Sequence, residues 1–243
     1  MKHPVRLTTF LIAAAGFIAF FAWASFGLNP FGHYPGPYGD IVNAISVPEL
    51  HVTDMATAVN FDIRAFDTLG EEFMFFAAVA GTLLIMRHLR EEHEEDQNGA
   101  EDYDVDPSDA VRMAGAIGCG ALIVFGVYLV LHAQLTPGGG FQGGAVIGTA
   151  ALLIYLSYGF GVYRRLSPKP WMELAHATGA GGYVAVGLAG MIGGAFLKNV
   201  LPHGSLHHLA SGGTIPLISG LVGLEIAAGF AGIFFEFINQ LHI

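Results

Sequence analysis

The chain has 243 residues, of which 53% are hydrophobic and only 12% charged, and its mean hydropathy is +0.55. Soluble domains carry about twice that charged fraction, so the composition indicates a polytopic membrane protein. Twenty acidic against ten basic residues leave a formal charge of −10 and no basic face, which argues against nucleic-acid binding. The single cysteine, Cys119, excludes an internal disulfide framework and any multi-cysteine metal or iron–sulfur site. We expect no cofactor and no catalytic centre in this chain.

Six segments are predicted to cross the membrane, because a helical span needs about 20 residues. The first is interpreted as a retained span, since it is too long for the apolar region of a signal peptide. The second must begin at Leu69 to be long enough, and this places Glu71 and Glu72 in its first turn, at or just below the membrane surface. The predicted spans are residues 7–26, 69–89, 111–131, 143–163, 172–196 and 214–237.

The basic residues predict the orientation of these spans, because cytoplasmic loops are enriched in lysine and arginine. With the N-terminus inside, eight of the ten basic residues are cytoplasmic, and only Arg64 and Lys198 lie outside. Both termini are therefore expected in the cytoplasm. The predicted cytoplasmic residues are Lys2, Arg6, Arg87, Arg90, Arg112, Arg164, Arg165 and Lys169.

A charged segment separates the second and third spans. Residues 91–109 contain 10 of the 20 acidic residues, a pattern typical of a solvated linker. The predicted fold is thus all-α, with six transmembrane helices arranged as two plus four. The predicted domains are a two-helix unit at 1–90, a cytoplasmic linker at 91–109 and a four-helix domain at 110–243.

The segment 61–72 places several charged side chains at the outer end of the second span. One interpretation is a capping box, in which Thr68 is the N-cap and Glu71 reaches back to it. The other is a hydrated acidic vestibule where a cation or proton waits and an arginine pairs with a carboxylate. The residues alone leave both interpretations open. The candidate ion-path residues here are Asp62, Arg64, Asp67, Glu71 and Glu72.

A glycine-rich motif occupies residues 131–144. It contains a GxGxxG spacing, but an apolar helix precedes it where a dinucleotide site needs a strand, so a nucleotide site is rejected. Its proline and glycines are predicted to end the third span and let the backbone turn back tightly at the membrane. His132 is either a structural group or a proton carrier. The structural motif consists of Pro137, Gly138, Gly139, Gly140, Gly143 and Gly144.

Glu225 lies in the middle of the last predicted span, about 16 Å deep. A carboxylate at that depth costs about 2.5–3.5 kcal/mol unless it is protonated or faces protein or water. It is therefore either a neutral, hydrogen-bonded acid or a waypoint for a proton or cation, and we favour the second. Glu173 and His176 could continue such a path, although an interfacial anchor beside Trp171 is the preferred interpretation.

Three histidines in the last outer loop raise the question of a metal site. His203, His207 and His208 include an i, i+4 pair, which could hold a metal in a helical loop. No acidic residue or cysteine stands near them in the sequence, so no metal site is predicted.

Residues 131–144 resemble the signature of the B subunit of Mrp-type multisubunit cation/proton antiporters, the MnhB domain. They are most similar to the version found in membrane-bound hydrogenase-type complexes, with Gln134 in place of the second histidine. The resemblance extends over about residues 111–237. Separately, residues 62–71 resemble a segment from the C-terminal part of the large A subunit, or from a small separate subunit in hydrogenase-type complexes. The chain therefore resembles a fusion of two neighbouring small subunits.

The resemblance implies a non-catalytic subunit in the membrane arm of a large complex that exchanges Na+ for protons. It implies other antiporter subunits as partners, in some members together with a redox module, and the plasma membrane of a prokaryote as the location. It also assigns Asp67 and Glu71 to the ion route. The alternative is a structural spacer in a redox-driven ion pump, whose glycine-rich helices dock larger subunits.

Overall fold

The computed structural model describes residues 3–28, 32, 36–94 and 107–241, and within these ranges the chain is helical, without strands. It divides into two compact units, Met1–Gly39 and Asp40–Ile243. Two short non-α turns occur, a π-helical turn at Val59–Ile63 and a 3-10 turn at Met191–Gly193. The α-helices are α1 (His3–Phe26), α2 (Tyr38–Ser46), α3 (Met55–Ala58), α4 (Ala65–Glu94), α5 (Asp109–Leu131), α6 (Gly140–Leu166), α7 (Lys169–Gly190) and α8 (Ile215–Leu241).

Five of the described helices are long and apolar enough to cross a membrane, so the predicted all-helical, membrane-type fold is confirmed. The helix α7 is not among them, although its 22 residues give about 33 Å. It ends at Gly190, six residues before the predicted end of that span, and Gly194 follows in a left-handed conformation at φ 102°. The sixth span and the orientation of the termini remain predictions. The spanning segments are Leu7–Phe26, Ala65–Met86, Asp109–Leu131, Gly140–Leu166 and Ile215–Gln240.

Two of the sequence predictions fall largely outside the described residues. These are the acidic linker, of which residues 95–106 are not described, and the orienting residue Lys2. The division into parts at 90 and 110 stays a prediction as well. Within the second compact unit, α4 packs against α7 and α8, so helices from both predicted parts share one core.

The first compact unit contains α1, whose described apolar side chains are exposed along its length. Phe10, Ile12, Phe17 and Trp23 are each more than half exposed. The phenyl rings of Phe17 and Phe21 contact each other, with centroids 4.8 Å apart. A helix that is apolar on all sides is typical of a membrane span.

In the second unit, α8 is the central helix and packs against α4, α5, α6 and α7. Its buried aliphatic side chains Ile218, Val222 and Ile226 lie in one cluster with Tyr183 of α7. The Tyr183 hydroxyl donates to the Ala65 carbonyl oxygen at 2.9 Å, which ties α7 to the first residue of α4. Burial of these groups fixes the positions of α4 and α7 around α8.

Glycines allow α6 to approach α8 closely. A Cβ atom added at Gly144 would lie 2.7 Å from the Gly223 carbonyl oxygen and 2.8 Å from the Ile226 Cβ atom. Gly140 and Gly148 face the same helix, since an added Cβ would meet Val222 and Phe230 respectively, each at 2.8 Å. The small-residue spacing in the sequence therefore brings two helices of this chain together.

Candidate functional site

The N-terminal end of α4, which the predicted orientation places at the outer side, is built by a local network of polar groups. Asp54 caps α3 by accepting from the Thr57 backbone N–H at 3.0 Å, and the π-helical turn follows. Arg64 breaks the helical path at φ −129°, ψ 34°, and α4 begins at the next residue. Thr68 therefore lies inside α4 and is buried, so the capping-box interpretation is wrong. The helix starts earlier because the backbone, helical from Met55 to Ile63, breaks only at Arg64 and becomes helical again at Ala65.

Three of the predicted ion-path residues are paired at this outer end. Arg64 forms an ion pair with Asp67, and both side chains are about half exposed. Asp62 accepts a hydrogen bond from the Asn199 side chain at 2.8 Å. Burial raises the pKa of Asp62 above its ordinary value, and the Asn199 hydrogen bond opposes this only in part. The Asp62–Asn199 hydrogen bond holds the segment before α4 against the loop between α7 and α8, and the Arg64–Asp67 pair is local.

Glu71 and Glu72 have different surroundings although they are neighbours. Glu71 is exposed, whereas Glu72 is only 2% exposed and its Oε2 atom has no hydrogen-bond partner among the described residues. Both line a cavity of about 290 Å³ together with Thr68. The opposite wall includes Gly138, Gly139 and Gln142 of the glycine-rich motif. The structure thus brings the two sequence motifs together around one cavity, which we call the outer cavity after the predicted orientation of the spans.

The glycine-rich motif ends α5 and begins α6. Gly139 adopts φ 143°, a conformation that side chains disfavour, and its N–H donates to the Leu129 carbonyl oxygen at 3.2 Å. A Cβ atom at Gly143 would lie 2.9 Å from the Val130 nitrogen, so α6 also crosses α5 closely. Gln134 is fully buried and donates to the Leu209 carbonyl oxygen at 2.6 Å. These contacts hold the wall of the outer cavity in place.

His132 lies away from the residues that line the outer cavity. Its ring stacks on Tyr128 with centroids 4.2 Å apart, and its Nδ1 atom is 3.2 Å from the Tyr128 carbonyl oxygen. Pro137 is exposed and precedes the cavity wall. The structure therefore does not group His132 with the other candidate ion-path residues, and its role as a proton carrier remains untested.

Glu225 is fully buried near the middle of α8, and neither carboxyl oxygen has a hydrogen-bond partner among the described residues. It lies close enough to Glu72 for the two carboxylates to interact electrostatically. Space for it comes from Gly179 of α7, where an added Cβ atom would lie 2.5 Å from the Glu225 Cβ atom. Two buried acids, each with a carboxyl oxygen that has no hydrogen-bond partner among the described residues, therefore lie within electrostatic range of each other in the core between α4, α7 and α8.

His176 adjoins Glu225 on the other side. Its Nδ1 atom is 3.1 Å from the Glu225 carbonyl oxygen, and the ring is only 7% exposed. The imidazole stacks on Phe76 with centroids 4.7 Å apart and planes within 12°. An interfacial anchor beside Trp171 is therefore the wrong interpretation for His176, because its ring is enclosed by protein. Glu173, one turn earlier, is exposed as expected for an anchor.

A second cavity of about 300 Å³, which we call the inner groove, opens beyond His176. Apolar side chains of α4, α7 and α8 line most of it, among them Leu83 and Phe235. Its polar lining consists of His176, Glu173 and an ion pair between Lys169 and Glu236.

Sequence reasoning missed this ion pair between Lys169 and Glu236, in which the Glu236 side chain is 2% exposed. A signal was present, since Glu225 and Glu236 are about three helical turns apart and so share one face of α8. Lys169, however, belongs to another helix, and no spacing in the sequence links it to Glu236.

The part of the chain that the structure describes contains no group of three or more histidine, cysteine, aspartate or glutamate side chains placed to hold a metal ion. The arrangement consists instead of carboxylates and one imidazole in a helical core. Such groups bind and release protons or small cations, and they mark ion pathways in membrane proteins.

The fold and these buried acids define the class, a multi-pass, all-helical membrane protein with ionisable groups in its core. The family described as a domain related to the MnhB subunit of Na+/H+ antiporters matches residues 110–232, slightly more than half of the chain. The chain belongs to this family.

Three known proteins show how far the similarity extends. An uncharacterized protein of Methanocaldococcus jannaschii is 28% identical over 235 residues, covering 88% of this chain and 87% of its own length. A chain of the membrane-bound sulfane sulfur reductase, an archaeal respiratory membrane complex, superimposes with a TM-score of 0.73 at 26% identity. That match covers 95% of this chain and 98% of the other.

The third similar protein is a chain of the Mrp complex from Dietzia sp. DQ12-45-1b. It superimposes with a TM-score of 0.70 at 18% identity, which shows a common fold. The match covers 97% of this chain but only 26% of that chain. Both similar structures are thus parts of multisubunit membrane complexes. The predicted family and its membership of multisubunit complexes are confirmed.

Proposed function

We propose that this chain is a non-catalytic membrane subunit of an Mrp-type cation/proton antiporter module and forms part of the route for Na+ or H+. The observation that carries the proposal is the pair of buried acids, Glu72 and Glu225. Both have carboxyl oxygens without hydrogen-bond partners among the described residues, and Glu72 lines the outer cavity. The family and the two similar complexes support the antiporter setting.

The physical argument rests on the cost of burying an acid. An unpaired carboxylate in an apolar core is strongly disfavoured, so each acid must hold a proton or receive a cation. Two such acids within each other's field resist losing both protons at once. When one of the two acids is charged, the affinity of the other acid for a proton or a cation therefore changes. This property suits a site that exchanges Na+ for H+ at its two carboxylates.

Asp67 and Glu71 belong to the entrance of this route in our proposal. Glu71 is exposed at the outer cavity and attracts cations to it, while the Arg64–Asp67 pair keeps the outer end of α4 in position. The partners we propose are the large antiporter-like subunits and the small membrane subunits of the module, with membrane lipid around them. The proposed location is the plasma membrane of a prokaryote.

Neutralising the two buried acids in the intact complex tests the proposal. The Glu72→Gln, Glu225→Gln double variant should assemble, because amides replace the acids at almost equal volume. We expect Na+-dependent proton flux in proteoliposomes to fall at least about tenfold, as for loss of a proton-transferring group. Glu49→Gln is the matched control, since Glu49 is exposed and outside both cavities. Full Na+-dependent proton flux in the assembled double variant would contradict the proposal.

A redox-driven ion pump is the second candidate for the host complex. It is favoured by the similarity to the membrane-bound sulfane sulfur reductase chain, which covers nearly the whole of both chains. In that setting the chain could serve as a structural spacer that docks larger subunits. The spacer hypothesis expects Gly140 and Gly144 to contact other subunits, but both glycines pack against α8 of this chain. The spacer therefore needs another surface, and the carboxylate test distinguishes it, because a spacer predicts unchanged flux.

A further inference from the structure

The buried groups beyond Glu225 extend the polar core towards the second cavity. His176 is more than nine-tenths buried, lines the inner groove and has no hydrogen-bond partner for its Nε2 atom among the described residues. The groove also contains the Lys169–Glu236 ion pair and Glu173. None of these groups is needed to build the outer cavity. They need a separate explanation, because buried polar groups normally have partners.

We propose that His176 and the Lys169–Glu236 pair form a proton-specific inner half of the route, which carries H+ between Glu225 and the inner groove and does not carry Na+. This inference rests on the proposed function, because it requires Glu225 to receive the ion from the outer cavity. It adds the identity of the ion that moves on the inner side.

The contact at His176 fixes which ring nitrogen can accept a proton. A carbonyl oxygen can only accept, so the contact with the Glu225 carbonyl oxygen at 3.1 Å places the imidazole hydrogen on Nδ1. In the neutral ring Nε2 is then free to accept a proton. In the proposed route, a proton that leaves the Glu225 carboxyl group and reaches Nε2 through water converts His176 to an imidazolium and leaves a carboxylate behind.

The groups of the inner groove can take this proton onward. The imidazolium releases it to water in the groove or to Glu173, which is exposed, and the ring returns to its neutral form. The element α4 contributes Phe75 and Phe76 next to the ring and Glu72 one turn earlier, while Glu173 comes from α7 and Glu225 and Glu236 come from α8. The proton is conserved at each step, since one group loses what the next one gains.

The same lining is unsuited to Na+. Hard cations bind several oxygen ligands at once, usually carboxylates, carbonyls or waters. Of the two acids in the inner groove, Glu236 is already neutralised by Lys169, and most of the remaining lining is apolar. The Lys169 ammonium group also repels a second cation that approaches. A proton needs only one acceptor at a time, and His176 and Glu173 provide such acceptors in the groove.

His176→Gln in the intact complex tests this inference. Glutamine keeps an N–H group that can donate to the Glu225 carbonyl oxygen, but it does not carry a proton near neutral pH. We expect the maximal rate of Na+-dependent proton flux to fall at least about tenfold. The KM for Na+ should stay within about twofold, because the outer cavity is unchanged. His208→Gln is the matched control, since His208 is exposed in the last outer loop.

A second variant covers the case in which His176→Gln does not assemble. Replacing both members of the ion pair, Lys169→Gln with Glu236→Gln, removes the charges and keeps two side chains able to hydrogen-bond. Because the pair excludes Na+ from the groove, we expect its removal to let Na+ pass and to lower the number of protons exchanged per Na+, and Lys169→Arg alone should preserve the native ratio because it preserves the pair. Full flux in assembled His176→Gln, or an unchanged ratio of protons to Na+ in the assembled double variant, overturns the inference. If the Glu72→Gln, Glu225→Gln variant also keeps full flux, the proposed function fails as well. If the Glu72→Gln, Glu225→Gln variant loses flux while the inner-groove variants behave like the native complex, only the proposed inner half of the route is wrong.

Discussion

Neighbouring residues in this chain have opposite environments because successive side chains on a helix point about 100° apart. Glu71 and Glu72 show this most clearly, since Glu71 is exposed at the outer cavity, whereas Glu72 is buried within electrostatic range of Glu225. The sequence pattern presents them as a pair of equivalent acids. In the proposed route, these separate surroundings let Glu71 attract cations and Glu72 bind one.

Asp62 illustrates how a single residue couples pH to local stability. Its carboxylate is partly buried, and burial raises its pKa above the ordinary value of 3.8, although Asn199 and His203 favour the charged form. The folded state therefore holds the proton more tightly than the unfolded state. The stabilisation is complete below pH 3.8 and is lost as the pH rises through the folded pKa.

The Asp62→Asn variant should remove this pH dependence. Asn199, which donates to Asp62, also accepts from the Thr214 backbone N–H at 2.9 Å. Hydrogen exchange at Thr214, corrected for intrinsic rates, should show protection that decreases above pH 3.8 in the native chain. In the variant the protection should stay level over the same range. An equal decrease in both proteins would contradict this assignment.

At the scale of elements, the approach of α6 to α8 depends on the absence of side chains. Gly140, Gly144 and Gly148 face α8 at intervals of four residues, so they form one smooth stripe. Interior packing has no spare volume at such a crossing. The stripe also fixes Gly139 and Gln142, which belong to the outer cavity. Helix packing and the candidate site are therefore coupled.

Gly144→Ala should destabilise the folded chain by about 2 kcal/mol, because overpacking a close helix crossing forces the backbones apart. The added methyl group would lie 2.7 Å from the Gly223 carbonyl oxygen. Gly161→Ala on the same helix is the matched control, since nothing lies within 4 Å of a Cβ atom there. Thermal unfolding of the purified complex, followed through this subunit, measures the difference. Equal midpoints for the two variants would show that the crossing relaxes freely.

At the scale of the whole molecule, the exposed apolar surface indicates how the chain is used. Large hydrophobic side chains are exposed on α1, α4 and α5, for example Trp23, Met74 and Val124. Such surface requires lipid or other subunits around it. Both similar solved structures are multisubunit complexes, so a share of this surface is expected to contact partner chains.

Purification of the native complex in gentle detergent, with mass spectrometry of each co-purifying chain, tests this expectation. We expect large antiporter-like subunits and small membrane subunits to co-purify. Additional iron–sulfur or hydrogenase-like chains would identify a redox-driven pump, and their absence from an intact antiporter set would identify a stand-alone exchanger. Recovery of this chain alone would contradict membership of either complex.

Much of the fold follows from local sequence, because apolar runs of about 20 residues form helices in a membrane whatever their neighbours. The same rule places Glu225 deep in the membrane, because the number of residues between it and each end of the apolar segment sets its depth. Thr68 shows the limit of local rules. Its neighbours fit a capping box, but a helix that starts at Ala65 leaves it inside the first turn.

What the sequence determined by itself is the helical membrane class, the family and the presence of an acid in the middle of the last helix. The tertiary structure alone decided which ionisable groups meet. Glu72 lies on α4, and His176 and Lys169 lie on α7, whereas Glu225 and Glu236 lie on α8. Only the packing of α4 and α7 around α8 brings these groups together. The physical reason is that hydropathy acts along one helix, while contacts between helices depend on close packing of side chains that are far apart in the chain.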